Sequence, residues 1–253
     1  MRRAAPWAAI ALAATVAAGC AGAPAERGDE QRSAAALYAE ARESLRNGAY
    51  SMAIEDFEDL VARYPFGEHA LQSQLMIVYA HYRAGQHASA VAAADRFIRM
   101  HPRNEHVAYA LYMRGVARQA MGPGGLASLV GADPTLRDPE PKRRAFADYR
   151  RLVAEHPDSE YVADAQRRME AIRTELAAYE LHVARFYYRR EAYLAAAKRA
   201  RAVVGRFPGT PSVPEAMGLL ADAYRGLELE GLGEAVERER ERLDDPPAPP
   251  TPG

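Results

Sequence analysis

Several features common in enzymes, nucleic-acid-binding proteins and disulfide-bonded domains are missing from this chain. Cys20 is its one cysteine, so no intramolecular disulfide can form. The 33 lysines and arginines nearly balance the 34 acidic residues, for a net charge of -1, whereas nucleic-acid-binding chains carry a strong basic excess. Motifs of the His-Glu-x-x-His, Gly-x-Ser-x-Gly and Gly-Lys-Ser/Thr kinds do not occur. The sequence therefore favours a protein that is not an enzyme, binds no nucleic acid and uses no cofactor or metal.

Residues 1–19 have the three parts of a secretory leader. Arg2-Arg3 supplies positive charge, an apolar stretch follows, and Ala17-Ala18-Gly19 supplies small residues before Cys20. The arrangement resembles the signal peptide of bacterial lipoproteins, which implies that Cys20 becomes the first mature residue and carries N-acyl and S-diacylglycerol lipid. Ordinary secretory cleavage at Ala21-Gly22-Ala23 is the alternative, and it would release a soluble periplasmic protein without Cys20.

Prolines mark an internal repeat. Seventeen residues before each of four prolines stands a glycine or glutamate, and an alanine follows that residue after five positions. The prolines are Pro65, Pro102, Pro157 and Pro208. Further apolar residues nine, twelve and thirteen positions after the start share one helical face with the alanine. The alanines are Ala53, Ala90, Ala145 and Ala196, and a weaker fifth copy runs from Glu230 through Ala235 to Pro247. The pattern resembles the second helix of a tetratricopeptide repeat and predicts an all-α solenoid of about five helix pairs.

Two of the units are longer than the others. An insertion of 18 residues, within 122–140, is rich in proline and glycine and predicts a surface loop in the third unit. In the fourth unit apolar residues recur every seven positions in two series, and this predicts one lengthened helix at about 160–190. The series are Val162, Met169, Leu176, Val183 and Ala165, Ile172, Tyr179, Phe186. A free coiled coil is possible, but the short seam favours packing against the next helix.

These patterns divide the chain into five parts. They are a signal peptide at 1–19, a lipidated linker at 20–33, N-terminal repeats at 34–157, C-terminal repeats at 158–244, and a Pro-rich disordered tail at 245–253. A flexible linker of that length reaches roughly 20 Å. The lipid would therefore hold the first repeats close to a membrane.

Tyrosines mark the first helices of the second and third units, which line the concave face of such a solenoid. Their rings, with Arg83 and Arg114 to meet a carboxylate, predict a peptide-binding groove. The tyrosines are Tyr79, Tyr82, Tyr109 and Tyr112. Any single one of them is as readily explained as a core residue. For Arg199 and Arg201 beside Lys198 the charge pattern favours a solvated helix face, and a binding patch is the alternative.

Several longer segments resemble the family of the outer-membrane protein assembly factor BamD. They are Arg63-Tyr64-Pro65-Phe66-Gly67, Asp95-Arg96-Phe97-Ile98-Arg99 with His101-Pro102, Tyr112-Met113-Arg114-Gly115, Arg137-Asp138-Pro139, Ala145-Phe146-Ala147-Asp148-Tyr149, and His156-Pro157-Asp158-Ser159-Glu160-Tyr161. The resemblance covers about 20–244, including the insertion and the lengthened helix.

This resemblance implies a lipoprotein on the periplasmic face of the outer membrane, within the machinery that folds and inserts β-barrel proteins. In that family the N-terminal repeats are thought to receive the C-terminal strand of unfolded barrel substrates. By matching position, Phe66, Tyr79, Tyr82 and Tyr112 would contact substrate. The C-terminal repeats, near Arg199, would dock on the central barrel subunit. The alternative is a periplasmic repeat lipoprotein that coordinates a cell-wall or division complex.

Overall fold

The computed structural model describes residues 33–121 and 138–244. The leader, Cys20, most of the linker, most of the insertion and the Pro-rich tail lie outside the described residues. Within the described ranges there are ten α-helices and no strand. The helices are α1 (Ala34–Arg46), α2 (Tyr50–Arg63), α3 (Glu68–Arg83), α4 (His87–Met100), α5 (Val107–Ala120), α6 (Glu140–Glu155), α7 (Val162–Tyr188), α8 (Tyr193–Arg206), α9 (Val213–Gly226) and α10 (Glu230–Asp244).

Each helix packs against the next one along the chain, which forms five antiparallel pairs. Contacts also join α1 to α3, α3 to α5, and α7 to α9, so the first helices of successive pairs lie side by side. That arrangement is the stacking of a solenoid, in which each unit buries the apolar face of its neighbour. The predicted all-α repeat architecture is confirmed.

The turn between the two helices of a pair sets the register of the repeat. Gly48 and Gly85 have φ values of 76° and 74°, in the left-handed region that glycine adopts without a steric penalty. Glu191 occupies the equivalent position of the fourth unit with a φ of 59°. The small residue five positions later is fully buried in each of the first four units, as predicted: Ala53, Ala90, Ala145 and Ala196. Because a methyl group occupies little space, the neighbouring helix can approach closely at that point.

The fifth unit differs from the prediction in its register. Its turn residue is Glu228, with a φ of 62°, and not Glu230, which begins α10. The small residue that packs against the preceding helix is accordingly Gly233, where a Cβ would lie 3.2 Å from the carbonyl oxygen of Ala221. Ala235 is exposed. The predicted register of this unit is therefore wrong by two residues.

Helix α7 packs against α6, α8 and α9, so it is part of the solenoid and not a free coiled coil. Its N-terminal half buries Ala165, Ile172 and Leu176 in the core of the third unit. Its C-terminal half buries Ala177, Leu181 and Ala184 in the cores of the last two units. The heptad seam does not continue to Phe186, whose ring is 38% exposed and lies under the guanidinium of Arg190 at 4.3 Å.

Candidate protein-binding site

A cleft with a volume of ≈ 370 Å³ opens between the first two units and the start of α5. We name it the arginine cleft, because three guanidinium groups and three tyrosine rings line it. The residues are Arg42, Arg46, Tyr50, Tyr79, Arg83 and Tyr109. The apolar side chains of Leu45 and Met76 complete its wall. Each charged residue lies in the last turns of α1 or α3, so the stacking of these two helices assembles the cluster.

Arg83 is fixed within this cleft by tyrosine hydroxyls. Its Nη1 donates to the hydroxyl of Tyr79 at 2.6 Å, and its Nη2 donates to the hydroxyl of Tyr50 at 2.6 Å. The guanidinium carbon also lies 5.2 Å from the centre of the Tyr50 ring, a cation–π contact. The hydrogen bond with Tyr79 raises the pKa of Arg83. Among the ion pairs of the described residues, none places a carboxylate on Arg83, so its positive charge is available to a ligand.

The two arginines of α1 are one helical turn apart. Arg46 forms an exposed ion pair with Glu43 on its own helix, and Arg42 lies 6.0 Å from the centre of the Tyr38 ring. An exposed pair within one helix contributes little stability, so an incoming carboxylate can compete for Arg46 at small cost. The arginine cleft is thus a positively charged pocket with aromatic walls.

Arg114 lies outside the arginine cleft, and its guanidinium already forms two ion pairs. Its side chain is 11% exposed, with Nη2 at 2.6 Å from Oδ1 of Asp148 and Nη1 paired with Asp95. Burial disfavours the charged form of Arg114, but the ion pairs with Asp148 and Asp95 together outweigh that effect and raise its pKa. Arg114 therefore joins α5 to α4 and α6, and it does not line the arginine cleft.

The remaining tyrosines of the predicted groove are partly buried in contacts between helices. Tyr112 stacks on Tyr161 with ring centres 5.0 Å apart, and its hydroxyl donates to Oδ2 of Asp164 at 2.7 Å. Tyr82 packs against His87 across the α3–α4 turn, with ring centres 5.7 Å apart. Tyr109 has one side in the arginine cleft, and burial raises its pKa. Of the four predicted tyrosines, Tyr79 and Tyr109 line the cleft.

Phe66 is 91% exposed in the turn that precedes α3. Tyr79 lies near the other end of the same helix, so the helical rise separates the two residues by about 20 Å. Phe66 and the tyrosines therefore cannot belong to one pocket. Its exposure is compatible with a separate contact, which stays a prediction.

The predicted partner-binding arginines of α8 have different environments. Arg199 donates from Nη1 to Oε2 of Glu180 at 2.9 Å, and this hydrogen bond raises the pKa of Arg199. Arg143 donates to the other oxygen of Glu180 at 3.2 Å, and Glu180 itself is 2% exposed. Arg201 is exposed to solvent. Arg199 thus has a structural role in addition to any contact that it makes with a partner.

The sequence analysis did not predict the apolar residues Leu45 and Met76 of the arginine cleft, nor three of its polar residues: Arg42, Arg46 and Tyr50. A signal for these three was present, since Arg42 and Arg46 share one face of α1 and Tyr50 follows the Gly48 turn directly.

Over 33–121 and 138–244, no helix combines the length and apolar character needed to cross a bilayer. Nor does that part of the chain hold a group of acidic, histidine or cysteine side chains suited to a metal ion.

A stack of helix pairs with a positively charged, tyrosine-lined cleft on its first units defines a class of protein: the helical-repeat solenoid, whose stacked units present an extended surface. The YfiO family, described as an outer membrane lipoprotein, matches residues 30–241. The chain is 39% identical over 207 residues to the outer membrane protein assembly factor BamD of Vibrio cholerae, covering 82% of this chain and 85% of that protein.

Two further relatives carry the same name. The BamD protein of Neisseria meningitidis serogroup B is 39% identical over 202 residues, covering 80% of this chain and 76% of that protein. The BamD protein of Pasteurella multocida is 33% identical over 232 residues, covering 92% and 88%. Among solved structures, the TPR2AB domain of yeast Sti1 is similar with a TM-score of 0.43 at 14% identity, covering 84% of this chain and 78% of that one. The chain belongs to the BamD family of outer membrane protein assembly factors.

Proposed function

We propose that this protein is a lipid-anchored scaffold of the outer-membrane β-barrel assembly machinery. Cys20 carries the lipid and holds the repeats on the periplasmic face of the outer membrane. The N-terminal units bind unfolded barrel substrates, and the C-terminal units bind the central barrel subunit and other lipoproteins of the machinery. The names of the relatives support a role in outer membrane protein assembly. The arginine cleft is the observation that supports the substrate-binding role.

The chemistry of the arginine cleft suits the C-terminal end of a polypeptide that finishes in an aromatic residue. A terminal carboxylate is planar and matches the donor geometry of a guanidinium, which Arg83 presents from a fixed position. An aromatic side chain next to that carboxylate would lie against the rings of Tyr50, Tyr79 and Tyr109. The apolar surface alone would not select a chain end, because only the charge distinguishes a carboxylate from an internal amide.

A matched pair of peptides tests this role. One ten-residue fluorescent peptide ends in phenylalanine with a free carboxylate, and the other has the same sequence with a terminal amide. Because Arg83 is exposed, its pairing with the carboxylate is screened by solvent, and we expect amidation to weaken binding by about two- to fivefold. Arg83→Ala should weaken the free-carboxylate peptide by a similar factor and leave the amide peptide nearly unchanged.

Arg150→Ala is the control, because Arg150 is an exposed arginine of α6 outside the cleft. It has the same change of charge as Arg83→Ala and should bind both peptides as the parent protein does. Equal affinity of the parent protein for the carboxylate and the amide would contradict the proposed role of the cleft.

The anchor and the partners need separate experiments. Cys20→Ser should move the protein from the outer-membrane fraction to the soluble periplasmic fraction. Copurification from detergent-solubilised membranes should recover the central barrel subunit with the parent protein, and Arg201→Ala should reduce that recovery without a loss of stability. Recovery of cell-wall or division enzymes in place of the barrel subunit would contradict the proposed function.

A further inference from the structure

A second cleft, of ≈ 710 Å³, lies on the third and fourth units. We name it the acidic cleft, because four carboxylates line it together with two tyrosine rings. The residues are Glu105, Glu155, Asp158, Glu160, Tyr109 and Tyr161. They come from the α4–α5 turn, the start of α5 and the α6–α7 turn. Among the described residues that line it there is no lysine or arginine, and the basic side chains are those of His106 and His156.

Most of this negative charge is not neutralised locally. Glu105 has a side chain that is 87% exposed, with His106 as an ion-pair partner at 3.9 Å. Glu155 forms an exposed pair with Arg151 on its own helix at 2.8 Å, a contact that contributes little. Burial and a hydrogen bond with Glu160 raise the pKa of Tyr161 to about 12, so its hydroxyl stays neutral. The acidic cleft therefore presents carboxylates beside aromatic rings.

Tyr109 belongs to both clefts. Its ring is partly buried and lies 5.6 Å from the ring of Tyr161, and Tyr161 stacks on Tyr112 at 5.0 Å. A row of tyrosines, Tyr79, Tyr109 and Tyr161, thus runs from α3 in the arginine cleft past the start of α5 to the α6–α7 turn in the acidic cleft. One ligand can contact both clefts through this row.

We propose that the polypeptide segment bound here carries a lysine or arginine a few residues before its terminal carboxylate. The carboxylate occupies the arginine cleft and the basic side chain occupies the acidic cleft, so opposite charges fix the direction of an extended chain along the tyrosine row. This inference rests on the proposed binding of substrate C-termini. It adds a charge pattern that selects among unfolded chains and aligns them.

The spacing of the two charges follows from general geometry. Packed helices lie about 10 Å apart, so two clefts that share the edge of α5 are separated by on the order of 10–20 Å. An extended chain advances about 3.3 Å per residue. The basic residue therefore lies about three to six positions before the C-terminus.

A lysine scan tests the pattern. The peptides are ten residues long and end in phenylalanine with a free carboxylate, and one lysine replaces glutamine at each position from three to six before the end. Because the pairs are exposed, we expect the best position to tighten binding by about three- to fivefold over the glutamine peptide, and high salt to remove the gain. The double variant Glu105→Gln, Glu160→Gln should lose the gain and bind the glutamine peptide normally.

Glu58→Gln combined with Glu230→Gln is the matched control, since both residues are exposed glutamates on other helices. It has the same change of charge and should keep the gain. Equal binding of all lysine and glutamine peptides would overturn the inference, and so would a gain that persists in the Glu105, Glu160 variant. In either case a retained preference for carboxylate over amide would leave the proposed function intact. Loss of that preference would refute the proposed function itself.

Discussion

The backbone of Gly115 in α5 lies directly against the ring of Tyr149 in α6, and this contact allows a quantitative prediction. A Cβ at Gly115 would lie 2.5 Å from Cε1 and 2.8 Å from Cζ of Tyr149. The ring cannot withdraw easily, because it is fully buried and its hydroxyl donates to Oε1 of Gln119 at 3.1 Å. Gly115→Ala therefore forces α5 and α6 apart or moves the ring away from its present packing.

Two opposing terms set the magnitude for Gly115→Ala. Alanine favours a helix over glycine by about 1 kcal/mol, whereas over-packing a core costs about 1–3 kcal/mol. Because the buried Tyr149 ring cannot withdraw easily, we expect the upper part of that cost, about 2–3 kcal/mol, and hence a net loss of about 1–2 kcal/mol in the free energy of unfolding. For a chain of this size that corresponds to a fall of about 2–8 °C in Tm. Urea and thermal denaturation followed by circular dichroism measure both quantities.

Gly205→Ala is the control for helix propensity. Gly205 is exposed in α8, and no atom lies within 4 Å of a Cβ built there. That variant should gain about 0.5–1 kcal/mol, so the two substitutions should change stability in opposite directions. Combining Gly115→Ala with Tyr149→Leu should cost less than the sum of the single changes, because the shorter side chain removes the clash. A Gly115→Ala protein as stable as Gly205→Ala would refute the reasoning.

Two further predictions concern charged residues. Arg199→Ala should lower the free energy of unfolding by about 1–2 kcal/mol, because buried Glu180 then keeps Arg143 as its one described partner. Arg201→Ala should change the free energy of unfolding by no more than about 0.5 kcal/mol in the same urea titration. Equal effects of the two substitutions would contradict the structural role of Arg199. Hydrogen bonds from Tyr112, Arg167 and Arg168 hold the pKa of Asp164 below its usual 3.8. The ionised carboxylate of Asp164 therefore stabilises the folded state fully above pH 3.8, and this contribution declines as the pH falls through the lowered pKa. Asp164→Asn should therefore be less stable than the parent protein by about 1 kcal/mol at pH 7, with a smaller difference at pH 2.5; a difference that does not shrink would show that the charge is not responsible.

The repeat architecture could be predicted from sequence because its signal is local. A small residue five positions after each turn, followed by larger apolar residues on the same face, is enough to specify a helix that packs closely against its neighbours. Helix α7 illustrates both the success and its limit. It runs over Val162–Tyr188, close to the predicted 160–190, but its buried face changes at Leu176 and Ala177. Sequence spacing cannot show where a helix exchanges one set of neighbours for another.

The error in the fifth unit has a related cause. Gly233 and Ala235 are both small, and the sequence offers each as the contact point. Pro247, from which the predicted register of this unit was counted, lies in the tail outside the described residues. Packing against Ala221 distinguishes the two positions, since Gly233 is buried there and Ala235 is exposed. The contact between α9 and α10 distinguishes the two registers that the sequence allows.

The candidate site shows the same limit for side-chain chemistry. Arg83 and Arg114 look equivalent in the sequence, because each follows tyrosines on the first helix of a unit. Their partners separate them. Asp95 and Asp148 come from the helices on either side of α5 and enclose Arg114, whereas tyrosine hydroxyls hold Arg83. No periodicity predicts which carboxylate will lie beside which guanidinium.

That distinction decides how the loss of an arginine must be interpreted in this protein. Removing Arg114 leaves the buried carboxylate of Asp148 with fewer partners, so any loss of binding would follow from altered packing of α5. Removing Arg83 leaves no buried charge, because its partners are neutral hydroxyls at the rim of an open cleft. A binding defect with normal stability is therefore evidence of ligand contact at Arg83. The same defect at Arg114 or Arg199 carries that meaning only after the stability of the variant has been measured.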